Sequence, residues 1–176
     1  MENEVKKLAI LVEHFNQLFL ESENTRLKIG AKEPFYRAAR EDRAAVIFSR
    51  DNYLSSALHE IAHWSIAGKA RRELDDFGYW YQPEGRTVTQ QKNFEQVEIK
   101  PQAIEWALSL ACAHRFHFSA DNLSQEIEPS TEFKESVYQQ LKAFLIDDKL
   151  PLRAQLLFKR LNHIFRQDQP VKIPYV

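Results

Sequence analysis

The sequence predicts an α+β fold that is predominantly helical, a single domain over residues 1–176 with a small sheet and an H-E-x-x-H helix. Three observations carry this reading. Apolar residues recur at three- and four-residue steps over most of the chain. Only the run Ala44-Ala45-Val46-Ile47-Phe48 and the cluster Phe77-Gly78-Tyr79-Trp80-Tyr81 favour strands. Four glycines in 176 residues leave little room for a turn-rich all-β fold.

Each element has its own signal. Val5, Leu8, Val12, Phe15 and Phe19 make Glu2–Leu20 an amphipathic helix within an N-terminal segment 1–23. From Glu21 to Glu41 periodicity dissolves, and Gly30 and Pro34 mark an irregular polar stretch. After the strand at 44–48, Asp51 or Asn52 is the expected N-cap of a helix from about Tyr53 to Ala67, with Gly68 as its C-cap glycine. Gln82-Pro83-Glu84-Gly85 supplies turn chemistry after the aromatic strand. Thr89 is the expected cap of a helix to about Ile99, and Pro101 either kinks it or opens a new helix to about His114. Arg115–Pro129 reads as loop. Ser130 caps a helix to about Ile146, with Phe133, Val137, Leu141 and Phe144 inward, and Pro151 opens a last helix ending near Phe165. Residues 167–176, with Pro170 and Pro174, read as an extended tail.

Composition bounds the function. Lys and Arg total 24 against 25 Asp and Glu, so no charge excess points to a nucleic-acid partner. No stretch has the length and apolarity of a signal peptide or a membrane span. The single cysteine, Cys112, forms no internal disulfide and reads as core filling in an apolar helix. A soluble cytoplasmic protein is the expectation.

The chemistry lies in His59-Glu60-Ile61-Ala62-His63. A four-residue step returns the second imidazole to nearly the same helix face as the first, so His59 and His63 can share one metal ion. Catalytic metal sites usually take a third protein ligand and keep positions open. A metzincin completion fails, because Ile66 and Lys69 stand where that pattern needs glycine and histidine. A later carboxylate is the alternative: Glu95, Glu98 and Glu105 lie on the following helical segment, and Asp75 and Asp76 lie nearer. Glu98, flanked by the apolar Val97 and Ile99, is favoured by helix phase, and an acid turned inward there needs a partner or a metal as its reason. Two histidines and one carboxylate serve either a zinc hydrolase with Glu60 as general base, or an iron(II) facial triad. The residues alone end at a mononuclear metalloenzyme.

Several stretches add to this. Ser56-Ala57-Leu58-His59-Glu60-Ile61-Ala62-His63-Trp64, Ile66-Ala67-Gly68-Lys69-Ala70-Arg71-Arg72-Glu73-Leu74, Asp76-Phe77-Gly78-Tyr79-Trp80-Tyr81 and Val97-Glu98-Ile99-Lys100-Pro101-Gln102-Ala103 resemble the elongation factor P hydroxylases of bacteria. Asn24-Thr25-Arg26-Leu27 and Asp121-Asn122-Leu123 fit as well. The resemblance spans about Asn24 to Glu128, while the two C-terminal helices and the tail match only loosely. It implies a zincin-like framework, His59, His63 and Glu98 as metal ligands, iron(II) as the metal (with zinc(II) able to occupy the site in vitro) and dioxygen as the oxidant. The implied substrate is elongation factor P whose acceptor lysine already carries a β-lysyl group, hydroxylated as the last step of that modification.

The remaining candidates follow from that substrate. Glu60 would orient a bound water or a ligand histidine, or move a proton. A long cationic side chain calls for acids and aromatic faces, which Asp75, Asp76, Tyr79, Trp80 and Tyr81 can supply. Lys69, Arg71 and Arg72 form a basic patch suited to docking an acidic protein surface. His114 and His117 are minor ligand candidates. The competing function is a gluzincin-type zinc metallopeptidase.

Overall fold

The computed structural model describes residues 2–76, 87–119 and 128–174. Helix α1 spans Glu2–Phe19. Its inward stripe is Leu8, Leu11, Phe15 and Phe19, whereas Val5, the first residue of the expected stripe, is exposed. The stretch expected to be irregular contains two strands, β1 (Thr25–Ala31) and β2 (Phe35–Arg37). They escape pattern reading because β1 buries only Thr25 and Leu27, and β2 is three half-buried residues. Strand β3 (Ala45–Arg50) runs between them, parallel to β1 with Leu27 opposite Ile47, and antiparallel to β2 with Tyr36 opposite Ile47. Gly30 sits at the irregularity in β1 with φ +86°, a conformation that carries little cost only for glycine. Asn16 of α1 completes the free edge of β1: its Oδ1 accepts from the Leu27 amide at 2.7 Å.

Helix α2 (Leu54–Ile66) follows, capped by neither Asp51 nor Asn52. Asp51 turns the chain out of β3 with φ 45°, and Tyr53 holds the N-cap position without a side-chain bond. Gly68 is not a left-handed C-cap either. Ala67 ends α2 in an extended conformation, and Gly68, φ −67°, begins the short helix α3 (Lys69–Arg72). The exposed carbonyls at the end of α2 go to a side chain instead: Arg153 Nη2 donates to the oxygens of Trp64, Ser65 and Ala67 at 2.9, 3.1 and 2.6 Å.

Helix α4 (Val88–Ala111) is one 24-residue helix that runs through Pro101. Its cap is Thr87 rather than Thr89, in a reciprocal box with Gln90. Residues Pro101–Ser109 are buried without a break, so this half of α4 is wrapped on all sides. Helix α5 (Thr131–Ile146) is capped by Ser130 and turns Phe133, Val137, Leu141 and Phe144 inward, as its periodicity requires. Helix α6 (Leu152–Arg166) starts directly after Pro151, and residues 167–174 follow without regular structure.

Helix α2 packs on β3 on one side and on α4 on the other, while α5 and α6 pack on α4 and α1 closes over β1 and α6. Trp64 of α2 meets the rings of Phe15 and Phe19 at centroid distances of 5.2 and 4.9 Å. Burying each such ring stabilises the fold by about 1.5–3 kcal/mol and fixes the roll of α2. No helix among the described residues is long and apolar enough to cross a membrane. The strand expected at Phe77–Tyr81, its turn at Gln82–Gly85 and Asp121-Asn122-Leu123 lie outside the described residues.

Candidate metal centre

The roll of α2 sets the site. Ile61 and Ala62 face the core, which leaves His59 and His63 half-buried toward α4. Across from them Glu98 is 1% exposed, while its neighbour Val97 is 46% exposed: the acid points in and the apolar residue out. The two imidazole Nε2 atoms are 2.8 Å apart. The Glu98 oxygens stand 3.4 Å from His63 Nε2 and 3.8 Å from His59 Nε2. One ligand atom from each of the three residues lies within 4.8 Å of the others, so the group could hold a metal ion.

The donor set fits one. Ligands at about 2.0–2.2 Å from a common divalent ion lie close to one another in this way. Two imidazoles and a carboxylate suit zinc(II) or iron(II). A carboxylate this deeply buried is costly without a cation or strong donors.

The protonation of the metal-free pair follows from its surroundings. Burial is the largest influence on His59 and opposes its charge. The hydrogen bond and charge of Glu105, with Glu98 and Glu60 behind it, outweigh burial and raise the His59 pKa to about 10. His63 is pushed well below its ordinary value by burial, then by the His59 cation and Arg71. Of the two rings, whose Nε2 atoms are hydrogen-bonded to each other, His59 is therefore the more basic.

Beside His63 opens a cavity of about 230 Å³, walled by Tyr36, Ile47, Glu60, Trp64, Arg71 and Asp76 among others. Burial raises the pKa of the Tyr36 phenol, and its hydroxyl donates to the Arg72 carbonyl at 2.9 Å.

Residues 14–174 match the family described as elongation factor P hydroxylase. A protein of Haemophilus influenzae named elongation factor P lysine hydroxylase is 46% identical over 169 residues, covering 95% of this chain and 94% of its own. The chain belongs to the elongation factor P hydroxylase family.

In this member of the elongation factor P hydroxylase family the structure separates the other candidates. Glu60 and Asp76 reach the cavity wall, and Asp76 is ion-paired with Arg71. Asp75 is turned to local structure, accepting from the Ala38 amide at 2.8 Å and from Arg40 at 3.4 Å. Of the basic patch, Lys69 is exposed, Arg71 is held by Asp76, and Arg72 is held by Glu23 at 2.8 Å. His114 and His117 do not join the three-residue group, and Cys112 is core filling, its thiol pushed up to about 12 by burial. Tyr79, Trp80 and Tyr81 lie outside the described residues.

Sequence reasoning missed three contributors. Tyr36 carried no signal. Arg153 lies 89 residues from Trp64, whose carbonyl it holds. Glu105, one of the candidate ligands, bonds the far nitrogen of His59 at 2.9 Å, a role its sequence position does not show.

Proposed function

We propose that this chain hydroxylates the β-lysylated lysine of elongation factor P, in the cytoplasm, as one domain on a zincin-like framework. The observation that carries the reading is 46% identity over nearly the whole length to a protein named for that activity. It is supported by a two-histidine, one-carboxylate group beside a cavity.

His59, His63 and Glu98 would hold iron(II). When bound, the ion supplies oxygen activation, which an unactivated C–H bond requires and side-chain acids and bases cannot give. One oxygen atom enters the C–H bond, and the other leaves as water with two protons and two electrons from an external reductant. The chain's own residues bind, orient and exclude water. Glu60, which lines the cavity together with His63, would move a proton or hold the substrate ammonium. Trp64, Ile47 and Ile66 line the same cavity with apolar surface suited to the alkyl stem of a lysine. Asp76, with Tyr79 further along the chain, would receive the cationic end, and Lys69 with Arg71 and Arg72 would dock the protein.

The test is the mass of β-lysylated elongation factor P after aerobic incubation with iron(II)-loaded protein and a reductant. A gain of one oxygen on the modified lysine is expected, absent without air and absent for His59→Ala. Cleavage of unfolded peptides without oxygen, and no such gain, would establish the zinc metallopeptidase instead.

A further inference from the structure

Two turns beyond Glu98, α4 carries a second inward acid. Glu105 is 6% exposed and flanked by buried Ile104, Trp106, Ala107 and Leu108. Its Oε2 lies 2.9 Å from Nδ1 of His59, and among the described residues His59 is its only hydrogen-bond partner. A carboxylate buried among apolar side chains and paired with one imidazole alone costs more to keep than the alanine or leucine its neighbours use. Packing alone does not account for it.

The hydrogen bond has a direct consequence at the other side of the ring. A carboxylate accepting at Nδ1 keeps the hydrogen there, so the Nε2 lone pair faces His63 and Glu98 when an ion binds. It also fixes the rotation of the imidazole. The bond persists with an ion in place, because a metal ion draws charge from the ring and strengthens the Nδ1–H that Glu105 accepts. We infer that Glu105 is a positioning residue of the metal centre, which sets the tautomer and orientation of His59 for the ion. The inference rests on the metal reading of His59, His63 and Glu98, and not on the identity of the substrate.

The experiment uses the full chain stripped of metal. Affinities for zinc(II) and cobalt(II) are measured by chelator competition at one pH for wild type, Glu105→Gln and Glu105→Ala. The visible spectrum of the cobalt(II) form is recorded with them. Glu105→Gln keeps the size of the side chain and should keep the helical circular dichroism. Both variants should bind about 10–100-fold more weakly, as loss of such outer partners typically does. The cobalt bands should shift, and the rise in Tm on adding metal should shrink more than the Tm of the metal-free protein changes. Wild-type affinity within twofold and an unchanged cobalt spectrum in both variants would overturn the inference. So would an equal loss of Tm with and without metal at unchanged affinity, which marks a structural role. Wild-type protein that binds neither ion would overturn the metal reading itself, and the inference with it.

Discussion

Removing Arg153 should unfasten the end of the metal helix. Its guanidinium donates to the carbonyls of Trp64, Ser65 and Ala67 at the end of α2, at 2.9, 3.1 and 2.6 Å, and lies 4.8 Å from the Trp64 ring centroid. The side chain is 14% exposed, with Glu23 3.8 Å away. A hydrogen bond from a charged donor contributes about 1.5–3 kcal/mol. The cation over a partly desolvated aromatic face adds about 0.5–2 kcal/mol, and a cation at a helix C-terminus about 0.3–1 kcal/mol. These terms share one group and do not sum fully, so Arg153→Ala should cost about 3–4 kcal/mol. Arg153→Met keeps the stem against Trp64 and should cost about 2–3 kcal/mol, nearly all of it the lost donors. Urea unfolding followed by circular dichroism measures both. Because Ala67 donates back to the His63 carbonyl at 3.1 Å, fraying there also reaches a ligand, and zinc(II) affinity should fall with stability. Arg153→Met within about 0.5 kcal/mol of wild type would refute the capping argument, since neutral surface substitutions fall in that range.

Glu98→Ala should abolish metal binding and hydroxylation while leaving the far-ultraviolet circular dichroism intact, and retained affinity would remove Glu98 from the site. The pH dependence of the metal-free protein has a definite sign. His59, raised from 6.5 to about 10, stabilises the fold fully below pH 6.5 and loses that contribution as pH climbs toward 10. His63, lowered, withdraws stability as pH falls below 6.5. The pair should therefore give a maximum near pH 6.5 in urea unfolding that His59→Gln loses, and identical profiles would count against the assignment. Cys112, fully buried, should resist a thiol reagent at pH 8 until the chain unfolds, and rapid labelling of folded protein would contradict its placement. Lys69→Glu should weaken elongation factor P binding in a salt-sensitive way without touching metal affinity. Reversing Arg72 is a poorer probe, because it would set two carboxylates together at Glu23.

What the sequence made legible follows burial. Where one face of a long helix is buried, the residues announce it: Phe133, Val137, Leu141 and Phe144 are all inward with Ser130 capping. The juxtaposition of His59 and His63 was equally plain, because a four-residue step on one helix is a local fact. Strands β1 and β2 were not legible, since between them they bury only two residues fully and their pairing with β3 depends on chain 9–20 positions away. Gly68 misled for a related reason. A glycine after a helix usually takes the left-handed turn, but here Arg153 satisfies the carbonyls and leaves the backbone free to continue extended into α3.

Helix α4 shows why the site was only partly readable. Glu95, Glu98 and Glu105 all turn inward, at spacings of three and seven that keep one helix face, while Val97 turns out. This departs from an ordinary amphipathic helix, in which acids mark the solvent side, so helix phase favoured Glu98 but could not tell the roles of the three inward acids apart. Each inward acid also meets a different partner. Glu95 accepts from the amide and hydroxyl of Ser130 at 3.1 and 2.7 Å and fixes the start of α5. Glu98 faces both Nε2 atoms, and Glu105 takes the opposite nitrogen of His59. From sequence these were three rival candidates for one ligand position. In the fold they form a ladder whose lowest rung anchors α5, whose middle rung completes the donor set, and whose upper rung aims the histidine. Burying three carboxylates in one helix is tolerable because each has its own donor or cation. The same requirement predicts that exchanging any one of them for its amide will be felt at that partner first, and along the rest of α4 much less.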